Sequence, residues 1–215
     1  RHRTAERVAR SLSAPVVSVS EEMSVINLYA GDNKRQLQEV GRLLDRANQA
    51  LQTLERYKVR LDDAMANLTA QEVEDVVSLR DVASVVQRGE MVHRIAEEIE
   101  TMIVELGVDA RLLRLQLDEL YVEIDDELDL VIRDYLPADR SVEEVHGFMA
   151  RLDDDGVLDL RRTAAALDPL GGIDDLDGSV APRGMRILAR VPRMTEELAA
   201  AITSYFGELT KLQRA

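Results

Sequence analysis

From Leu44 onward the apolar residues fall at Ala47, Leu51, Leu54, Leu61, Met65 and Leu68, a three-four spacing interrupted only at Lys58. Such a spacing lays one stripe along an α-helix and needs another helix to cover it. Thr69-Ala70-Gln71-Glu72 has the form of a capping box and predicts the start of a second helix. That helix carries Val73, Val76, Val77, Val85, Val92, Ile95, Ile99 and Met102, bends near Asp81 and ends at Gly107. Asp109 is expected to open a third, with Leu112, Leu113, Leu115, Leu117, Leu120, Ile124 and Leu128 in it, closing before Pro137. Ser141-Val142-Glu143-Glu144 is a second capping box, followed by the short stripe Val142, Val145, Phe148, Met149 and Leu152. With 3% aromatic residues, no Trp and 32% charged residues, the composition suits long helices packed by Leu, Val, Ile and Ala. The predicted fold is mainly α, a helical bundle.

The first residues read differently. Arg1-His2-Arg3-Thr4 precedes a short helix expected to start near Thr4, so two guanidiniums, an imidazole and free helix N–H groups would point at one place. Taken alone, a basic stretch at a chain start is more often a solvated end than an anion site. Ser13-Ala14-Pro15 stops the helix, because proline lacks an N–H and pushes its predecessor out of the helical region. Val16 to Ser20 and Ser24 to Tyr29 then read as two β-branched strands around Glu21-Glu22-Met23, closed by Gly31-Asp32-Asn33. A helix followed by a β-hairpin is expected.

The strings RHRTAERVA, PVVSVSEE, ANQALQTLERYK, VVSLRDVASVVQR, VELGVDARLLRLQLDEL and VIRDY, in this order, resemble the DisA family of DNA-integrity-scanning diadenylate cyclases. The match is strongest over roughly residues 1–135, and the weaker PRGMRILARVPRM extends it toward the end. The resemblance implies a three-part parent: an α/β cyclase domain, a helical spine and a helix-hairpin-helix module for branched DNA. It divides this chain into a cyclase-domain remnant at 1–33, the spine at 34–167, a flexible linker at 168–184 and a truncated start of the helix-hairpin-helix region at 185–215. The chain lacks an initiator methionine and contains no Asp-Gly-Ala, the family's metal-binding signature. It is therefore expected to be a piece of a larger enzyme and inactive alone.

The family's reaction condenses two ATP molecules into cyclic di-AMP with Mg2+ or Mn2+, each 3′-hydroxyl attacking the other nucleotide's α-phosphate. By the motif match, Arg1, His2 and Arg3 would contact the phosphates as catalytic residues. Thr4 would add a hydroxyl or cap the helix, and Ser20 and Glu21 would complete the ATP site; no metal ligand is assigned here. Without the resemblance, Ser18, Ser20 and Glu21 read as ordinary strand-end polarity. The family also implies a homo-octamer.

A net charge of −14 sits awkwardly with DNA binding, which needs lysine and arginine against phosphate. The acidity, however, lies at Asp62-Asp63, Glu97-Glu98-Glu100, Glu123 to Asp129 and Asp153-Asp154-Asp155, whereas the last segment carries Arg183, Arg186, Arg190, Arg193, Lys211 and Arg214. Arg183, Arg186, Arg190 and Arg193 are the candidate DNA contacts. The glycines, prolines and aspartates between Asp168 and Gly184 predict a linker, followed by helices from Met185 to Arg190 and from Pro192 to Phe206. Ile187, Leu188, Val191, Leu198, Ile202 and Phe206 would give these a small apolar face. The absence of cysteine excludes disulfides and thiolate metal sites, and no apolar run approaches the ~20 residues that span a bilayer. A cytoplasmic bacterial protein is the default.

Two readings of other classes compete. Glu90-Met91-Val92-His93 and Glu143-Glu144-Val145-His146 have the Glu-x-x-His spacing of di-iron carboxylate bundles. At ~100° per residue each glutamate points ~160° from the apolar Val92 or Val145, away from where a buried metal would sit, so the histidines read as surface or boundary residues. The second is a helical spacer or oligomerisation module with no chemistry of its own.

Overall fold

The computed structural model describes residues 2–20, 25–137, 140–167 and 175–215, with the side chain of His2 excepted. The elements run α1 (His2–Leu12), β1 (Val16–Ser20), β2 (Val25–Ala30), β3 (Asn33–Leu37), α2 (Val40–Glu74) and α3 (Leu79–Leu106). A 3-10 turn at Gly107–Ala110 leads into α4 (Arg111–Tyr121), α5 (Ile124–Tyr135), α6 (Val142–Met149), α7 (Asp154–Leu158) and α8 (Leu160–Leu167). The chain closes with α9 (Met185–Ala189), α10 (Glu196–Phe206) and α11 (Leu209–Gln213). The protein is mainly α, as the apolar spacing required.

Contacts divide it into two compact units, one of residues 1–51 and 98–116, the other of residues 52–97 and 117–215. In the first, β1-β2-β3 form an antiparallel sheet with α1 packed on β1 and β2. The expected two-stranded hairpin is thus extended by β3, which pairs Leu37 with Ile26 and Asn33 with Ala30. Its sequence NKRQL gave no apolar alternation because almost all of it faces solvent. Tyr29, Ala9, Leu43, Ala47, Ile99 and Ile103 are buried in this unit. Arg35 and the Gln38 amide both donate to Glu105, each at 2.8 Å.

In the second unit Leu54, Leu61, Leu68, Val82, Val92, Val131, Ile132, Val145, Met149 and Leu167 are buried. The helix boundaries differ from the sequence reading in three places, each with a local cause. The first concerns Thr69, which caps nothing: its hydroxyl donates back to the Met65 carbonyl at 2.9 Å and α2 runs on to Glu74. That helix ends where Asp75 turns left-handed at φ 58° and the Val76 amide reaches the Gln71 carbonyl at 3.0 Å, a Schellman closure with aspartate in the glycine position. The real cap is Ser78: its amide and hydroxyl both donate to Asp81, and the Asp81 amide returns a 3.4 Å bond to its Oγ.

The second concerns the helix expected from Asp109 to Pro137. It breaks at Glu123, which sits at φ 65°, so α4 and α5 are separate helices. The third concerns Pro192, which opens no helix; α10 starts at Glu196, with the Thr195 hydroxyl accepting from the Leu198 amide at 3.3 Å. Ser141 does cap α6, accepting from the Glu144 amide at 3.3 Å.

Of the stretch 168–184, residues 168–174 lie outside the described part. Residues 175–184 are fastened down as a strap. The Leu79 and Arg80 amides donate to Gly178 and Leu176, the Val180 amide to Val77, and the Arg183 amide to Asp134. Beyond it Met185, Leu188 and Ala199 form a small core with Leu130, Met194, Ile202 and Leu212 against it. Leu188 and Ile202 belong to the expected apolar face, but Leu198 is half-exposed and Val191 nearly so.

Candidate functional site

At the front, α1 begins at His2, two residues earlier than expected, so Thr4 lies inside the first turn and does not cap it. Arg3 and Thr4 are exposed, and among the described residues Arg3 has no ion-pair partner. Arg10, about two turns further on along the same face, is held by Glu6 at 3.0 Å and Asp32 at 2.9 Å. After the three-residue connection at 13–15 the chain returns along β1, whose five residues cover about the same ~16 Å as the helix. Ser20, half-buried and opposite Val25, ends that strand. Arg1 and Glu21 lie outside the described residues, as does the imidazole of His2.

What this front can do follows from its donors. A guanidinium, two hydroxyls and the first N–H groups of a helix attract an anion and leave it partly desolvated. None of Arg3, Thr4 and Ser20 is a carboxylate, and a magnesium ion is bound through carboxylates and substrate phosphates. By their chemistry Arg3, Thr4 and Ser20 suit a phosphate and not a metal ion.

The four candidate DNA arginines are not alike. Arg190 and Arg193 are exposed, and Arg183 is half-buried with Nη2 donating to the Leu136 carbonyl. Arg186 is 4% exposed and must be removed from the set. Its guanidinium lies 2.5 Å from Glu72, 3.0 Å from the Thr69 hydroxyl and 3.4 Å from the Met65 carbonyl, all on α2. Tyr135 donates to the other oxygen of Glu72 at 2.7 Å. Asp134 accepts the Met185 amide at 2.6 Å and the Arg186 amide at 3.0 Å, tying the start of α9 to the end of α5. Burial pushes the Asp134 carboxyl up to about 6, against the pull of those two backbone donors. Burial, with the charge of Glu72, also raises the Tyr135 hydroxyl. The pattern gave no sign of this cluster: Glu72 passed for part of a cap and Asp134 for one of many surface acids.

The two Glu-x-x-His pairs do meet in space. His93 and His146 line one cleft of about 550 Å3 with Glu90, Glu97, Asp125 and Asp129. His93 Nδ1 lies 2.6 Å from the Tyr121 hydroxyl, which donates to Asp125 at 2.6 Å, and His146 Nε2 lies 2.7 Å from Asp129. Both imidazoles are partly exposed boundary groups. Glu90 contradicts the angular reading: it is only 8% exposed, and Arg94 holds it at 2.7 Å. The reason is that α3 is covered on more than one side. At Gly89 the side chain of Leu128 on α5 comes so close that a Cβ would meet it at 2.6 Å. Glu143 stays exposed, and among the described residues no three of these groups converge as ligands for a metal ion.

The DisA bacterial checkpoint controller linker region matches residues 37–172. Over its full length the chain is 49% identical to the DNA integrity scanning protein DisA of Acidothermus cellulolyticus, covering 60% of that protein. It is 49% identical to that of Kineococcus radiotolerans, covering 61%, and 47% identical to that of Streptomyces coelicolor, covering 59%. The chain therefore spans about 60% of the length of the curated relatives it matches.

Proposed function

This chain belongs to the DisA family, and on that footing we propose that it is part of a diadenylate cyclase that condenses two ATP molecules into cyclic di-AMP and scans DNA for branched or damaged structures. What supports the reading is the family membership, together with an exposed Thr4 and an exposed Arg3 that has no ion-pair partner among the described residues, both in the first turn of α1. Phosphoryl transfer of this kind asks for positioning and charge neutralisation more than for covalent chemistry. In this reading Arg1, His2 and Arg3 hold the phosphates, while Thr4 and Ser20 fix their orientation by hydrogen bonds. A divalent metal, Mg2+ or Mn2+, would add charge neutralisation from carboxylates outside these residues. DNA would be held near Arg183, Arg190 and Arg193, the parent would assemble as a homo-octamer, and it would work in the cytoplasm. No described helix is long and apolar enough to cross a membrane.

For these 215 residues taken by themselves, a helical spacer without chemistry of its own is the second reading. The linker-region match across residues 37–172, more than half of the chain, favours it. Equilibrium ATP binding by the full-length parent separates the two. Arg1→Ala with Arg3→Ala should weaken binding at least about tenfold, the loss of one charge-assisted pair; unchanged binding would leave only the spacer.

A further inference from the structure

In the second unit a cavity of about 490 Å3 opens among α5, the turn before α6, the 175–184 strap and α10. Three guanidiniums line it, from segments far apart in the chain: Arg133 on α5, Arg140 in the turn and Arg183 on the strap. The hydroxyls of Thr203 and Ser204 line it as well, and Leu136, Val142 and Met185 supply an apolar wall. All three arginines are half-buried.

Each guanidinium is oriented by contacts that spend only part of its five N–H donors. Arg133 uses Nη1 on Glu196. Arg140 uses Nε on Glu144 at 3.1 Å and Nη1 on the Ala166 carbonyl at 2.8 Å, and Arg183 uses Nη2 on the Leu136 carbonyl. Among the described residues, Nε and Nη2 of Arg133, Nη2 of Arg140, and Nε and Nη1 of Arg183 have no hydrogen-bond partner. The two carboxylate partners, Glu144 and Glu196, are 57% and 72% exposed, so water screens them and they quench the cavity's positive potential only in part. Arg183 has no carboxylate partner among the described residues. Three cations lining one cavity repel one another, and an anion with several oxygens would relieve that repulsion by accepting forked bonds from more than one of them.

We propose that this cavity binds a phosphate-bearing polyanion. The volume suits a small phosphorylated molecule, and a backbone phosphate of DNA offers the same oxygens. Of the four arginines singled out for DNA, only Arg183 lines the cavity, so it is a distinct receptor, independent of the ATP-site reading of α1 and β1.

The test is calorimetric titration of the 215-residue protein with pyrophosphate at low salt. Binding should be measurable at millimolar or lower pyrophosphate, weaken as salt rises, and fall at least about tenfold in Arg133→Gln and in Arg140→Gln. Arg60→Gln, on α2 outside the cavity, should leave it unchanged. Should Arg140→Gln lose its fold with the Ala166 contact, Arg133→Gln decides alone, because among the described residues the Arg133 guanidinium bonds the exposed Glu196 and no backbone carbonyl. A short DNA duplex that displaces pyrophosphate assigns the site to backbone phosphate, and one that does not assigns it to a soluble phosphate compound. Absence of pyrophosphate binding, or equal affinity in the wild type and Arg133→Gln, overturns the proposal.

Discussion

Arg186 and Glu72 stand 114 positions apart and form an ion pair at 2.5 Å, with 4% and 1% of their side chains exposed. The pair fastens α9 to α2, and Asp134 fastens the same turn of α9 to α5. Removing one partner leaves the other charge buried without compensation, which costs about 3–5 kcal/mol. Arg186→Met and Glu72→Met should each lower the unfolding free energy of the 215-residue protein by that amount in urea. The double replacement should recover most of the loss, because two apolar groups leave no orphan charge. A double variant as unstable as the worse single one would show that the pair is not the unit that matters.

Asp134 makes stability depend on pH in a direction opposite to that of most carboxylates. Its folded pKa, about 6, lies above the ordinary unfolded value of ~3.9, so between these limits the native state binds more protons than the unfolded one. This group's contribution therefore falls as pH rises from about 4 to about 6, by something on the order of 3 kcal/mol. Asp134→Asn keeps one of the two acceptor oxygens and cannot titrate, so it shifts stability by an amount independent of pH. Subtracting its pH-stability curve from that of the wild type should leave a downward slope confined to that window. A flat difference would mean that Asp134 is ionised throughout.

Gly184 opens α9 at φ 99°, and a Cβ there would meet Leu209 at 3.0 Å. Gly184→Ala should cost about 1–2 kcal/mol from the left-handed backbone alone, with the contact adding to it. Thermal unfolding reads this directly. An unchanged midpoint would show that the strap's junction with α9 is slack.

Ser78→Ala should cost about 1 kcal/mol, the usual value of a lost N-cap. The signal should be local: faster hydrogen exchange in the first turn of α3 and in strap residues Gly178 and Val180, which bond next to the cap. Uniform loss of protection across both units would contradict a local capping role.

How much of this could be read beforehand follows from where each residue's partners lie. The Leu51 to Leu68 stripe and the Ser141 cap depend on neighbours three or four positions away, and both stand in the structure. Thr69-Ala70-Gln71-Glu72 misled because a capping box and an uninterrupted helix ending in a left-handed aspartate share the same local letters. The Asp75 conformation that decides between them is not written in residue type. β3 was missed since an exposed strand carries no apolar alternation, and the break at Glu123 since no glycine or proline marks it. At the candidate sites, exposed Arg3 and Thr4 and half-buried Ser20 were identifiable as donors. The burial of Arg186 and Glu90 was not, because each depends on an element more than 30 positions away that closes over it.

The claim on which the account most depends is that the guanidiniums at the front of α1 serve nucleotide chemistry. The direct measurement is cyclic di-AMP formation by the full-length parent, wild type against Arg3→Ala, at saturating ATP and metal. The account predicts a loss of at least about a hundredfold, the scale for removing one donor that stabilises developing phosphate charge. Turnover equal to that of the wild type would contradict it.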